Sequence, residues 1–348
     1  LKIMSKRVLV DEFCSRKHLR IETYEVIRVN SYCGMLQMIN KAQTIGDFME
    51  EASKTLLSKT FNELNLMVKR DFMDFLLSNE KSMTWKKIYE HTILNKSREA
   101  LIHKFQQCEQ VIPLDLIARS LKNLSKSLES YYVLRKNFMT SLAVMNVAHW
   151  LLGIGDRHLS NIMMNMEKGH LIGIDFGVAF GEAATMEVPE IIPFRLTSHF
   201  VNVFEPLGIN GLLKKNMMHA LRCFQDHRET ILICLEVFIK EPTLDWLLKS
   251  KSKTSIWNPE KRIDIVAQKM NGANPMLTLF EEMSNGDVSN NEKLFQAYKM
   301  MIHGSKDCLR SRVPTKNLTI DEQISCLVEL ATDPSILSTT YIGWNSWF

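Results

Sequence analysis

Asp156, His158, Asn161 and Asp175 stand in that order along one short stretch. Their side chains are suited to one kind of chemistry. A carboxylate can take the proton of an attacking hydroxyl, and a carboxamide with a second carboxylate offers oxygen ligands to Mg²⁺, a hard cation. Together they fit phosphoryl transfer from ATP. Asp156 lies five positions ahead of Asn161, the spacing of a catalytic base and a metal-binding asparagine, and Asp175-Phe176-Gly177 supplies a second metal ligand. His158, two residues after the base, is placed to donate to the transferring phosphate or to carry a proton. Alone, an Asp-Phe-Gly or an Asp-Arg-His is most often a solvated turn or helix end. The order of the parts around a hairpin is what gives them weight.

That hairpin is the element that must position them. Residues 162–165 and 171–174 are short apolar runs, and Met-Glu-Lys-Gly-His lies between them. Two such runs around a glycine-containing turn predict antiparallel strands. Pairing brings the flanking residues Asn161 and Asp175 side by side, with facing Cα atoms about 4.5–5.5 Å apart. An amphipathic helix over 130–152 is expected to feed the catalytic loop. Residues 1–20 read as the end of a helix, 21–29 as a strand, 30–34 as a turn and 35–39 as a second strand. Residues 44–130 are helical and polar in pattern and suggest a solvated insertion. Helices continue over 198–240, and Lys249–Lys253 is a charged loop. Thr319-Ile-Asp-Glu322 is a capping-box pattern, opening a helix that Asp333-Pro334 should stop near Thr332. The closing Tyr341, Trp344, Trp347 and Phe348 are too apolar to stay in water.

Composition narrows the class without naming it. The 348 residues carry a net charge of +4 and are 45% hydrophobic, enough for a large core and too mildly basic to indicate nucleic-acid binding by itself. Seven scattered cysteines without a Cys-x-x-Cys pair point to a reducing compartment. The apolar run Ser141–Leu152 is too short to span a bilayer. His219, Cys223 and His227 recur four apart on one helical face, a spacing that can hold zinc. No fourth ligand accompanies them, so packing is the better reading.

The inverted triplet within Gly153-Ile-Gly-Asp156-Arg157-His158-Leu-Ser-Asn161 resembles the phosphatidylinositol 3-kinase-related protein kinases. So do Asp175-Phe-Gly-Val-Ala-Phe-Gly181 and Pro193-Phe-Arg-Leu-Thr197, Lys240-Glu-Pro-x-x-Asp-Trp246, Gly272-Ala-Asn-Pro275 and Gly304-Ser-Lys-Asp307. Ala331-Thr-Asp-Pro-x-Ile-Leu337 and Gly343-Trp-Asn-Ser-Trp-Phe348 extend the likeness to the last residue. The resemblance implies an α+β, bilobal protein-kinase-like fold with a mostly helical C-lobe and a truncated N-lobe. Residues 1–40 would be the rear of the N-lobe and the hinge. Residues 41–315 would be the C-lobe with its helical insertion at about 44–130, and 316–348 a terminal FATC-like tail packed near the activation loop.

The resemblance also implies ATP and Mg²⁺ as cofactors. Met38 falls where the family stacks a tryptophan on adenine, and Ile39 where the hinge backbone bonds the base. Met163 and Ile174, flanking the metal site on the hairpin, would floor the nucleotide. A serine/threonine protein kinase and a phosphoinositide kinase share the inverted triplet. The segment Phe176–Phe194 carries Glu182, Glu187 and Glu190 and no lysine or arginine, which favours a peptide over an anionic headgroup. A non-catalytic scaffold is the third reading. Serine or threonine followed by glutamine, nuclear double-strand-break repair by end joining, and the Ku heterodimer with DNA ends reached through a full-length protein are likewise implied. No membrane and no direct DNA site within this region are expected. Neither a Gly-rich phosphate loop nor a strand-borne lysine precedes residue 34, and the chain opens on Leu1. The expectation is a fragment that binds ATP poorly and turns over little by itself.

Overall fold

The computed structural model describes residues 1–30, 33–77, 83–240 and 258–348. Its centre is one helix, α8 (Leu128–Leu151). Ser127 starts it with a reciprocal cap: its hydroxyl accepts the Ser130 N–H, and the Ser130 hydroxyl accepts the Ser127 N–H. Every residue from Phe138 to Leu151 is buried, polar ones included. A helix buried all round must run through the core rather than over it. It packs on α10 (Leu212–Asp226) and on the hairpin strand β5 (Leu171–Gly173), and it delivers the chain directly into the catalytic loop.

The expected hairpin is present as β4 (Ile162–Asn165) and β5, paired antiparallel with Ile162 opposite Gly173 and Met164 opposite Leu171. Its turn follows from Asn165. The Asn165 Oδ1 accepts the N–H groups of Glu167 and Lys168, and Gly169, at φ +76°, closes back on the Asn165 carbonyl at 2.7 Å. A third strand, β3 (Ala42–Thr44), joins the other edge of β4. Burial alternates along β4, with Ile162 and Met164 in the core and Met163 turned outward.

Several expectations need correction. Residues 1–20 hold two helices, α1 (Lys2–Val10) and α2 (Glu12–Arg16), separated where the Asp11 carboxylate accepts the Cys14 N–H. The strand expected over 21–29 is only β1 (Val26–Arg28), and that over 35–39 is only β2 (Gly34–Leu36). The two pair with each other alone, and both faces are exposed. Without a third strand or a covering element among the described residues, there is nothing to extend them.

Residues 44–130 are helical, as α3 (Ile45–Leu56), α4 (Phe61–Leu77), α5 (Trp85–Asn95), α6 (Arg98–Glu109) and α7 (Leu116–Leu124). They are not a solvated insertion. Ile45, Phe61, Phe72, Tyr89 and Phe105 join the main core. Lysines such as Lys54, Lys59, Lys87 and Lys122 are exposed and give the segment its polar look in sequence.

The tail keeps its predicted cap: Thr319 and Glu322 form the reciprocal box and α16 (Ile320–Thr332) follows. In the chain order of described helices α9 is Ser198–Asn202, α11 Arg228–Ile239, α12 Pro259–Met270, α13 Pro275–Met283, α14 Glu292–His303 and α15 Leu309–Arg312. Asp333 ends α16 and caps the short helix Pro334–Leu337. The charge run 249–253 and most of the 240–246 motif lie outside the described residues. Cys223 is buried with its sulfur within 4.8 Å of the Cys14 sulfur and an Asp11 carboxylate oxygen, while His219 stacks on Phe13. All seven cysteines are free. Among the described residues no helix is long and apolar enough to cross a membrane.

Candidate active site

The loop after α8 turns sharply. Gly153 takes φ +57°, and a Cβ there would meet the Gly181 nitrogen at 2.3 Å, so only glycine allows the catalytic loop and the following segment to touch. They pair through Phe180 N–H to the Leu152 carbonyl, Gly181 N–H to Gly153 and Gly155 N–H to Val178. Asp156 and Asp175 both adopt left-handed backbone, at φ +57° and +51°. Aspartate tolerates that region, at a cost of order 1–3 kcal/mol that the surroundings must hold in place.

Arg157 does much of the holding. Its side chain is buried, and its guanidinium donates to the carbonyls of Gly155 (2.8 Å), Asn161 (3.2 Å), Ile174 (2.7 Å) and Asp175. One planar fork thus ties the catalytic loop to both ends of the hairpin. The Ile174 N–H also bonds the Asn161 carbonyl at 3.1 Å, continuing the β4–β5 ladder to the two flanks. The Asn161 Nδ2 donates to the Asp156 carbonyl at 2.9 Å and faces its carboxylate at 3.4 Å. That leaves the amide oxygen as an acceptor. The Asp175 Oδ1 takes the Gly177 N–H at 3.2 Å. The side chains expected to hold Mg²⁺, the Asn161 carboxamide and the Asp175 carboxylate, offer oxygen alone, which suits a hard cation.

His158 lies with Nε2 3.8 Å from the Asp156 carboxylate. Its Nδ1 accepts the Ser160 N–H at 3.2 Å, which assigns the proton of the neutral ring to Nε2. Burial holds its pKa below the usual histidine range, against the pull of Asp156. The nucleotide residues are less closely gathered. Met163 faces outward from β4, opposite Thr44 and Ile172, and Ile174 is half-buried. Met38 and Ile39 lie on the connection from β2 to β3, where Met38 is 84% exposed.

The profile of the family described as Phosphatidylinositol 3- and 4-kinase matches residues 1–248, and that of the FATC domain matches residues 317–348. This chain belongs to the phosphatidylinositol 3- and 4-kinase family. It is 33% identical to the DNA-dependent protein kinase catalytic subunits of Canis lupus familiaris and Mus musculus, over 99% of its own length and 9% of theirs. It is 32% identical to that of Dictyostelium discoideum, over 99% of its length and 8% of that protein. Protein kinase rad3 of Schizosaccharomyces pombe matches at 25% over 99% of this chain and 12% of its own length. The chain therefore spans about a tenth of these curated relatives. Among the family's branches, the FATC segment and these matches place it with the phosphatidylinositol 3-kinase-related protein kinases.

Sequence reasoning missed how the FATC segment reaches the Asp156 loop. Arg195, buried in the Pro193–Thr197 motif, donates to the Arg157 carbonyl at 2.9 Å and to the carbonyls of Trp344, Asn345 and Phe348. Its guanidinium lies 3.7 Å from the Trp344 ring centre. Glu190 accepts the Asp156 N–H at 2.7 Å on one oxygen and the Trp344 indole N–H at 3.2 Å on the other. Burial pushes its pKa up to about 7, although both hydrogen bonds favour the ion.

On the far side, His149 is fully buried and neutral, and burial lowers its pKa well below the usual range. Its ring fills the space a Gly173 Cβ would occupy and meets Phe176 edge-on at 5.8 Å. Burial raises the Tyr24 pKa, as does its nearness to the Asp175 carboxylate. The signal available in sequence was an arginine or histidine inside an apolar run, which marks a buried polar anchor but not its partner.

Proposed function

We propose that this chain is the catalytic region of a serine/threonine protein kinase that moves the γ-phosphoryl of ATP to a protein hydroxyl. What supports this most is the Arg157 fork, which holds the backbone of the Asp156 loop, Asn161 and Asp175 together. In this reading Asp156 accepts the hydroxyl proton, and His158, with its proton on Nε2, donates toward the transferring phosphate. Asn161 and Asp175 hold Mg²⁺, Met163 and Ile174 floor the nucleotide, and Met38 and Ile39 meet the adenine. The ion, when bound, neutralises phosphate charge. The chain's own contribution is position: two left-handed aspartates locked by one buried guanidinium.

A phosphoinositide substrate is disfavoured by the carboxylates around Asp156, because an anionic headgroup would be repelled. Preference for serine or threonine followed by glutamine, nuclear action in double-strand-break repair by end joining, and contact with Ku and DNA ends through a longer protein belong to the same proposal. They rest on the likeness to relatives named DNA-dependent protein kinase.

Thermal denaturation with ATP tests the site. An upward shift that needs Mg²⁺ is expected, and Asp175→Ala should remove it. Asp156→Asn should keep the shift and lose phosphoryl transfer by at least about 10²-fold. An Asp175→Ala chain that keeps its Mg²⁺-dependent shift would sink the assignment.

A further inference from the structure

The side of Asp156 turned away from the hairpin opens into a groove of about 660 Å³ between the activation segment, α5 and the FATC segment. Its lining includes the carboxylates of Asp156, Glu182, Glu187, Glu190 and Asp287, and contains no lysine or arginine. Lys86 approaches the rim and pairs with Asp287 at 3.1 Å. That single ammonium is also in the field of Glu90 and Glu187, and its pKa is raised chiefly by the Asp287 hydrogen bond. Glu182 is likewise in the field of Arg262. Even with these two cations counted, the rim remains negative.

Two aromatic rings complete it. Trp85 meets Tyr341 edge-to-face at 5.2 Å, and Tyr341 is 40% exposed. A carboxylate rim beside a half-buried tryptophan and an exposed tyrosine is the chemistry that receives a guanidinium, through charge-assisted hydrogen bonds and stacking. The groove also reaches the proposed base, so a chain lying in it would bring a hydroxyl to Asp156.

We propose that this groove binds the peptide substrate and selects for arginine near the acceptor serine or threonine. Glu187, Asp287 and the Trp85–Tyr341 pair are its specificity-determining residues. The inference deepens the kinase reading, on which it rests only in treating Asp156 as the base.

The test uses the full chain and two fluorescein-labelled peptides that share one Ser-Gln pair, one flanked by arginines and the other by glutamates. Fluorescence anisotropy should give at least about tenfold tighter binding of the arginine peptide at low salt, and the gap should narrow as salt screens the rim. Glu187→Lys with Asp287→Lys, both at exposed positions, should abolish or reverse the preference. Trp85→Ala should weaken the arginine peptide alone. Equal binding of the two peptides, no binding of either, or a preference unmoved by the double charge reversal would overturn the proposal. Phosphoryl transfer is read separately. Charge-selective binding leaves the groove standing whatever the level of transfer, the kinase reading being tested by the Mg²⁺-dependent thermal shift; transfer without charge preference removes the groove alone.

Discussion

The two ends of the chain are both rich in apolar side chains, yet they meet opposite fates. In β1 and β2, Val26, Ile27, Met35 and Leu36 are all more than half exposed. In the FATC segment, Trp344, Trp347 and Phe348 are almost fully buried. The difference is a prepared receptor. Phe61 meets Phe348 at 4.7 Å, Phe72 meets Trp347 at 5.8 Å, and Asn65 accepts the Trp347 indole N–H at 2.9 Å. The helices over 45–124 thus form a socket for the tail, and Arg195 and Glu190 join that socket to the catalytic loop. The N-terminal hairpin has no such socket among the described residues. Apolar content alone does not decide burial; a complementary surface with matched hydrogen-bond partners does.

Removing the junction should have the largest effect. Arg195→Ala takes the donor from four carbonyls, those of Arg157, Trp344, Asn345 and Phe348. The expected loss is about 3–5 kcal/mol of stability, the scale of leaving several buried polar groups without partners. Arg195→Lys should recover only part of it, because a single ammonium cannot reproduce the fork. Thermal or urea unfolding measures both. An Arg195→Ala chain as stable as the parent would mean that the tail is held by its aromatic rings alone.

Glu190 sharpens the same comparison through pH. Its carboxyl pKa, about 7 in the folded chain, lies above the usual glutamate value, so the folded state holds its proton more tightly than the unfolded state. Its contribution is therefore greatest below the unfolded pKa. Stability should fall as pH rises through the interval up to about 7 and then level off, by at most about 3 kcal/mol. Glu190→Gln should flatten that interval. It should also loosen the Asp156 loop at high pH, because an amide NH₂ must face one of the two N–H donors. Unfolding curves from pH 5 to 8 compare the two chains, and an identical slope in both would assign the pH dependence to another group.

The local frame of the candidate site was more legible in sequence than its distant partners, for a physical reason. Asp156, Asn161 and Asp175 are joined by local structure: a hairpin with a glycine-containing turn, readable from two apolar runs. Arg157, Glu190 and Arg195 work through partners separated by up to 154 residues, as in the bond from the Trp344 indole to Glu190. No local pattern encodes such pairs. The same limit explains the misreading of 44–130. Its many lysines gave it a polar look, while the residues that receive the tail were spaced at helical intervals whose target lay far along the chain. The N-terminal strands erred in the other direction: alternation promised long strands, but strand length also depends on a neighbour to pair with.

The smallest expected effect lies at that hairpin. Ile27 pairs with Met35 and is 53% exposed. Ile27→Thr keeps β-branching and removes little buried area, so its cost should stay within about 0.5 kcal/mol. Phe61→Ala, at the opposite end of the comparison, should cost about 3–5 kcal/mol because it empties a packed site against Phe348. Measuring both by urea unfolding tests whether the exposure of β1 and β2 holds in solution. A loss above about 1 kcal/mol for Ile27→Thr would mean that the hairpin is covered there, and dilution would then distinguish the cause: a cost that disappears at low protein concentration identifies a second copy of the chain as the cover.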